Sequence, residues 1–155
     1  MPEKEDLLHG RGARLPILMR EGHQVVVEYV HRRLAEAGFD DVRPAHMTIF
    51  QHLERQGSRI GELAERSQLT NQSVSYLVDY LEEHGYVERR PDPKNRRATL
   101  VCLTNRGWAE MNACAAILED VERELVKDLG GTNLQQLEEL LTRYLKAVSS
   151  LGEGE

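Results

Sequence analysis

The 155-residue sequence predicts a mainly α-helical fold with one small β-hairpin, in which a lobe of short helices is flanked by long N- and C-terminal helices. Three observations predict it. Apolar residues recur at spacings of three and four over six separate stretches; the period turns strand-like only across residues 86–104; Gly and Pro fall between the stretches.

Residues 1–14 are polar and aperiodic and read as a flexible tail. Pro16 suits the first turn of a helix, where its missing N–H costs little. From there Leu18, Val25, Val26, Tyr29, Val30 and Leu34 keep helical spacing until Gly38. Pro44 opens a short helix over 44–56, with Met47, Phe50 and Leu53 on one face and Gly57 as its stop. A third helix begins near Ser58 and buries Ile60, Leu63 and Ala64. It breaks at Ser67-Gln68-Leu69, and Thr70 is placed to cap the next helix, whose inner face is Val74, Leu77, Val78 and Leu81. Gly85 suits the C′ position that ends it. Two short helices joined this closely, the second one longer, form a helix-turn-helix.

Tyr86–Arg90 and Ala98–Thr104 read as two strands, with Pro91-Asp92-Pro93-Lys94-Asn95-Arg96-Arg97 as a basic turn between them. The two prolines argue against a continuous strand there. After Asn105, the spacing of Trp108, Met111, Ala115, Leu118, Val121, Leu125 and Leu129 predicts a long amphipathic helix. Gly130-Gly131 breaks it, and Leu134, Leu137, Leu140, Leu141, Tyr144, Leu145 and Val148 mark a last helix.

Composition is globular, with 40% hydrophobic and 30% charged residues. No apolar run approaches the ~20 residues that span a bilayer, and the N-terminus lacks the apolar core of a secretory signal, so a cytoplasmic protein is expected. The net charge of −6 is unevenly spread: residues 55–107 carry nine Lys/Arg against seven Asp/Glu, and residues 108–155 four against ten. A cationic island on an acidic body attracts phosphate locally. There is no phosphate-binding glycine loop, nucleophile elbow, HExxH or CxxC, so no enzyme, cofactor or metal is expected. Cys102 and Cys114 suit packing, and His46 and His52, six apart, miss the helical spacing of a metal pair.

A helix-turn-helix followed by a basic hairpin is a winged helix. The start of the second helix offers Thr70, Asn71, Gln72, Ser73, Ser75 and Tyr76, all hydrogen-bonding groups suited to base edges in the major groove. A polar start is also what a capped helix commonly carries, and an arginine pair on a turn is commonly just solvated. The consecutive order of helix, turn, helix and basic hairpin is more specific than either piece. Arg89, Arg90, Lys94, Asn95, Arg96 and Arg97 are the wing candidates, with Arg96 and Arg97 placed to enter the minor groove.

These residues carry a resemblance. Asp92-Pro93-Lys94-Asn95-Arg96-Arg97, then Leu100-Val101-Cys102-Leu103-Thr104 and Gly107, resemble the wing of the MarR (multiple antibiotic resistance regulator) family, roughly D-P-x-D-R-R and a strand ending in L-T. Leu63-Ala64-Glu65-Arg66, Val74-Ser75 and Leu77-Val78-Asp79-Tyr80-Leu81-Glu82 with Gly85 resemble its recognition segment. The order of helices and hairpin is similar over residues 15–150. The resemblance implies a homodimeric, sequence-specific regulator of transcription that binds double-stranded DNA, usually a repressor released by a small molecule or an oxidant. It assigns Arg97 to the minor groove. Three departures stand out: Asn95 replaces the acidic residue that normally braces that arginine, Ser67-Gln68 replaces Leu-Gly in the turn, and Tyr76 stands where Arg is common.

The resemblance and the apolar stripes together divide the chain into a tail (1–14), the N-terminal helix of a dimerisation region (15–43), a DNA-binding lobe (44–107), C-terminal dimerisation helices (108–150) and a second tail (151–155). A homodimer would set two recognition helices on half-sites of a pseudo-palindrome. The resemblance places an effector pocket near His23, His46, Met47, Phe50 and Trp108. The competing reading is a helical protein–protein interaction module on a winged-helix scaffold, which an acidic or apolar wing tip would favour.

Overall fold

The computed structural model describes residues 11–152, and the chain divides into two compact units, Met1–Ala115 and Ala116–Glu155. The elements run α1 (Arg11–Glu36), α2 (Pro44–His52), α3 (Ile60–Ser67), α4 (Asn71–Glu83), β1 (Val87–Asp92), β2 (Asn95–Leu103), α5 (Asn105–Leu129) and α6 (Gly131–Gly152). The expected mainly helical architecture with a single hairpin is the one observed. The expected tails lie outside the described residues at 1–10 and 153–155; Arg11 to Arg14 are already helical, as are Leu151 and Gly152.

Three boundaries differ from the expectation. Among the described residues helix α1 already runs from Arg11, so Pro16 lies inside it. Pro16 has no N–H to give the Gly12 carbonyl, which therefore lacks its usual helical donor. Helix α2 stops at His52 rather than running to residue 56, because Leu53 turns extended (φ −77°, ψ 125°). The hairpin turn is only Pro93-Lys94, so Pro91 lies in β1 opposite Thr99, and Arg96 and Arg97 lie in β2. A two-stranded sheet has only edge strands, and the register shifts between Pro91 and Asp92, so a missing N–H is tolerated there.

The core of the first unit joins Val42, Ile49, Phe50, Leu63, Ala64, Val74, Val78, Leu81, Tyr86, Val87 and Val101, which come from α2, α3, α4, both strands and the connections between them. Ser58 extends the hairpin: its N–H donates to the Val101 carbonyl at 3.0 Å and its carbonyl accepts from the Val101 N–H at 2.8 Å. Thr70 caps α4 as expected, its Oγ1 accepting from the Ser73 N–H at 3.1 Å. Gly85 (φ 76°) closes α4, with Tyr86 N–H donating to the Leu81 carbonyl at 2.8 Å and Gly85 N–H to that of Glu82 at 3.0 Å. The turn between α3 and α4 repeats this closure with Gln68 in the left-handed position (φ 57°, ψ 30°), where a side chain is strained.

Thr104 and Gly107 give the Leu-Thr-x-x-Gly pattern a structural meaning. Thr104 Oγ1 accepts from the Gly107 N–H at 3.2 Å, which caps α5, and donates to the Gly85 carbonyl at 2.6 Å. A Cβ on Gly107 would lie 2.2 Å from the Tyr86 carbonyl oxygen, so only glycine lets α5 approach the base of the hairpin this closely.

The second unit holds the rest of α5 and all of α6, joined at Gly130 (φ 80°). Asn133 Nδ2 donates to the Leu129 carbonyl at 2.7 Å across the break. Leu118, Leu125, Val126 and Leu129 on α5 and Leu137, Leu140, Leu145, Val148 and Leu151 on α6 are exposed. Among the described residues no helix is long and apolar enough to cross a membrane.

Candidate nucleic-acid interface

The lobe presents two surfaces, the start of α4 and the wing. On α4, Asn71, Gln72, Ser73 and Tyr76 are exposed, while Ser75 is half-buried. Tyr76 leaves 73% of its surface to solvent, which is unusual for so large a ring. With Ala45, Thr48, Leu69, Gln72, Ser73 and Leu77 it lines an open groove of about 510 Å³. Thr70 is exposed too, but its hydroxyl is committed to the cap and to the Ser73 hydroxyl at 2.8 Å.

The wing candidates fall into two groups. Lys94, Asn95 and Arg97 are exposed at or beside the turn, and among the described residues no ion pair engages Lys94 or Arg97. Arg96 shares β2 with Arg97. Towards the base of the hairpin the cations are paired: Arg90 with Glu88 on its own strand, and Arg89 with Asp79 and Glu82 of α4. Asn95 does not brace the Arg97 guanidinium; its Oδ1 accepts from the Arg97 backbone N–H at 3.2 Å and shapes the tip instead. Asp92, 5% exposed, accepts from Lys94 N–H at 2.8 Å and pairs with Arg59, which precedes α3. The Arg59 bond and the Lys94 N–H together hold the Asp92 carboxyl below its ordinary range.

A second polar cluster fixes the connection between α1 and α2. Asp41 accepts from the Tyr86 hydroxyl and from Arg106 at 3.1 Å, its carbonyl accepts from the Tyr80 hydroxyl at 2.9 Å, and Arg106 stacks on the Tyr86 ring at 4.6 Å. Burial, together with the bond to Asp41, pushes the Tyr86 phenol up to about 12. His46, Tyr80 and His84 stack at centroid distances of 4.2 and 3.9 Å. His46 Nδ1 accepts from the Arg43 N–H at 3.1 Å, and burial, with Arg43 and His84 nearby, lowers its pKa. Periodicity and spacing give no sign of this cluster, because its members come from three stretches far apart in the sequence, 41–46, 80–86 and Arg106.

The five residues expected around an effector are disposed differently from one another. His46 and Phe50 are buried, Phe50 among the core side chains; Met47 is half-buried against the core; Trp108 and His23 are exposed. Cys102 and Cys114 are free and half-buried, and burial raises both thiols. Among the described residues no three His, Cys, Asp or Glu side chains gather as a metal site.

A helix-turn-helix whose second helix is exposed at its start, followed by a hairpin with Lys94 and Arg97 exposed at or beside its turn, defines the winged helix-turn-helix class. The MarR family model matches residues 40–98, the lobe itself. The multiple antibiotic resistance protein MarR of Escherichia coli (strain K12) is 35% identical over 74 residues, 47% of this chain and 51% of that protein. The chain spans about half the length of the first curated relatives it matches. Among solved structures, the transcriptional regulator Tm0710 from Thermotoga maritima matches at 26% identity and a TM-score of 0.61, over 92% of this chain and 98% of that one. A mutant MarR from E. coli complexed with operator DNA matches at 25% identity and a TM-score of 0.67, over 85% and 94%. The likeness to the MarR family thus centres on residues 40–98, which hold the helix-turn-helix and most of the hairpin.

Proposed function

We propose that the chain is a sequence-specific regulator of transcription, a repressor that binds a pseudo-palindromic double-stranded operator as a homodimer. The observation that carries this reading is the pairing of surfaces on one lobe: a hydrogen-bonding helix start (Asn71, Gln72, Ser73, Tyr76) beside a wing whose Lys94 and Arg97 are unpaired. A helix of this width fits the major groove, where Asn and Gln bond adenine in a bidentate way and apolar faces contact the thymine methyl. Arg97 then reaches the adjacent minor groove, whose negative potential favours guanidinium. The likeness to MarR with operator DNA supports the same docking. The exposed leucines of α5 and α6 supply the apolar surface a second copy would cover. Release by a small-molecule effector completes the proposal; Trp108 and Met47 keep surface for it, whereas His46 and Phe50 serve packing.

Selection of random duplexes by the purified protein, at two salt concentrations, tests the reading. It predicts an enriched inverted repeat with half-site centres about one turn, roughly 34 Å, apart. Recovery of no common sequence would refute it.

A further inference from the structure

Arg89 belongs to the basic hairpin, yet its charge is directed inwards. Its Nη2 donates to Asp79 Oδ1 at 2.5 Å, its Nη1 to Glu82 Oε2, and its backbone N–H to Glu82 Oε1 at 3.1 Å. Three donors of one residue in β1 therefore end on two carboxylates of α4. Asp79 and Glu82 are three apart, on one face of the helix, as a forked guanidinium requires. Two carboxylates around one guanidinium leave a net negative site, and the Asp79 side chain is 66% exposed. A phosphate brought to Arg89 would meet that carboxylate first. The hairpin is also fastened near its tip, where Arg59 pairs with Asp92, so β1 is tied to the helix-turn-helix at Arg89 and again at Asp92.

Building on the DNA-binding reading, we propose that Arg89 is a positioning residue: its fork onto Asp79 and Glu82 presets the wing against the recognition helix, so that Arg97 reaches the minor groove when α4 enters the major one. Its contribution is to preorganise the lobe, not to hold phosphate. Arg89, Arg90, Lys94 and Arg97 thereby separate into a brace (Arg89), a strand-internal pair (Arg90–Glu88) and the cations left for DNA.

The two roles predict opposite signs for one variant. Asp79→Asn with Glu82→Gln removes two negative charges and frees Arg89. If Arg89 were a phosphate contact, duplex binding would tighten; as a brace it weakens, by roughly fivefold or more, with Arg89→Ala weakening it similarly. The slope of log affinity against log salt falls no further in the Arg89→Ala, Arg97→Ala double variant than in Arg97→Ala alone, whereas loss of a phosphate contact at Arg89 would lower it by about a further 0.9. In the Arg89→Ala background, Arg97→Ala costs less than threefold, because the unbraced wing no longer delivers it. A merely stabilising role would leave the Arg97→Ala effect intact when all variants are measured well below their melting temperatures.

Amide hydrogen exchange on the free protein provides a readout without DNA. Both Arg89→Ala and the double variant should speed exchange over residues 89–101 at least fivefold. Tighter duplex binding by the double variant, or unchanged exchange in both variants, would overturn the brace. A wild-type chain that bound no duplex would refute the DNA reading and leave the brace to be decided by exchange.

Discussion

Glu110 is wholly buried, and neither carboxylate oxygen has a hydrogen-bond partner among the described residues. Burial pushes its carboxyl up to about 7. A carboxyl whose folded pKa exceeds its unfolded one contributes fully to stability below the unfolded range, near 4.5, and loses that contribution as pH rises towards 7. Glu110→Gln should therefore leave the melting temperature nearly unchanged at pH 4.5 and raise it at pH 8, by up to about 3 kcal/mol of stability. An equal shift at both pH values would contradict the assignment. Gln68 is a second strained residue, held at φ 57° by the turn between α3 and α4. Gln68→Gly relieves a Cβ clash against glycine's larger unfolded entropy, and chemical denaturation should show a net gain of roughly 0.5–1 kcal/mol.

Element by element, what could be read from the sequence was whatever depends on local chemistry. Thr70 as a cap, Gly85 as a helix stop, Pro44 at a helix start and the break at Gly130-Gly131 are signals carried by one or two residues, and each stands where expected. The hairpin stands where the strand-like period predicts it, with a shorter turn, because Pro91 breaks central strands yet is tolerated in a two-stranded sheet. The exposed polar start of α4 is legible because its residues are contiguous. The long-range pairs were not: Arg59 with Asp92 and Arg106 with Asp41 lie 33 and 65 positions apart, and no periodicity links them. Charge alone groups Arg89 with the basic tip and cannot show that Asp79 and Glu82 meet it. At this scale Gly107→Ala is the sharpest test of packing. Its methyl would meet the Tyr86 carbonyl and Leu103, and α5 should separate from the hairpin at a cost of about 3 kcal/mol in thermal or chemical unfolding.

At the scale of the whole molecule, the proposed binding to an inverted repeat calls for a second copy. The apolar side chains exposed on residues 116–152 predict a particle of twice the 17.7 kDa chain mass by light scattering, and substituting Leu137 and Leu140 together with Glu should shift it towards the monomer. If the proposed dimer sets the symmetry of the proposed operator, the same double variant should lose the inverted repeat's advantage over a single half-site. The most direct test of the central claim is a titration of the selected duplex across salt concentrations with wild type and Arg97→Ala. Wild-type affinity should fall steeply as salt rises, by about 0.9 in log–log slope for each phosphate neutralised, and Arg97→Ala should cost about 1–3 kcal/mol with the dimer intact. Wild-type affinity from Arg97→Ala, or binding indifferent to salt, would contradict the account.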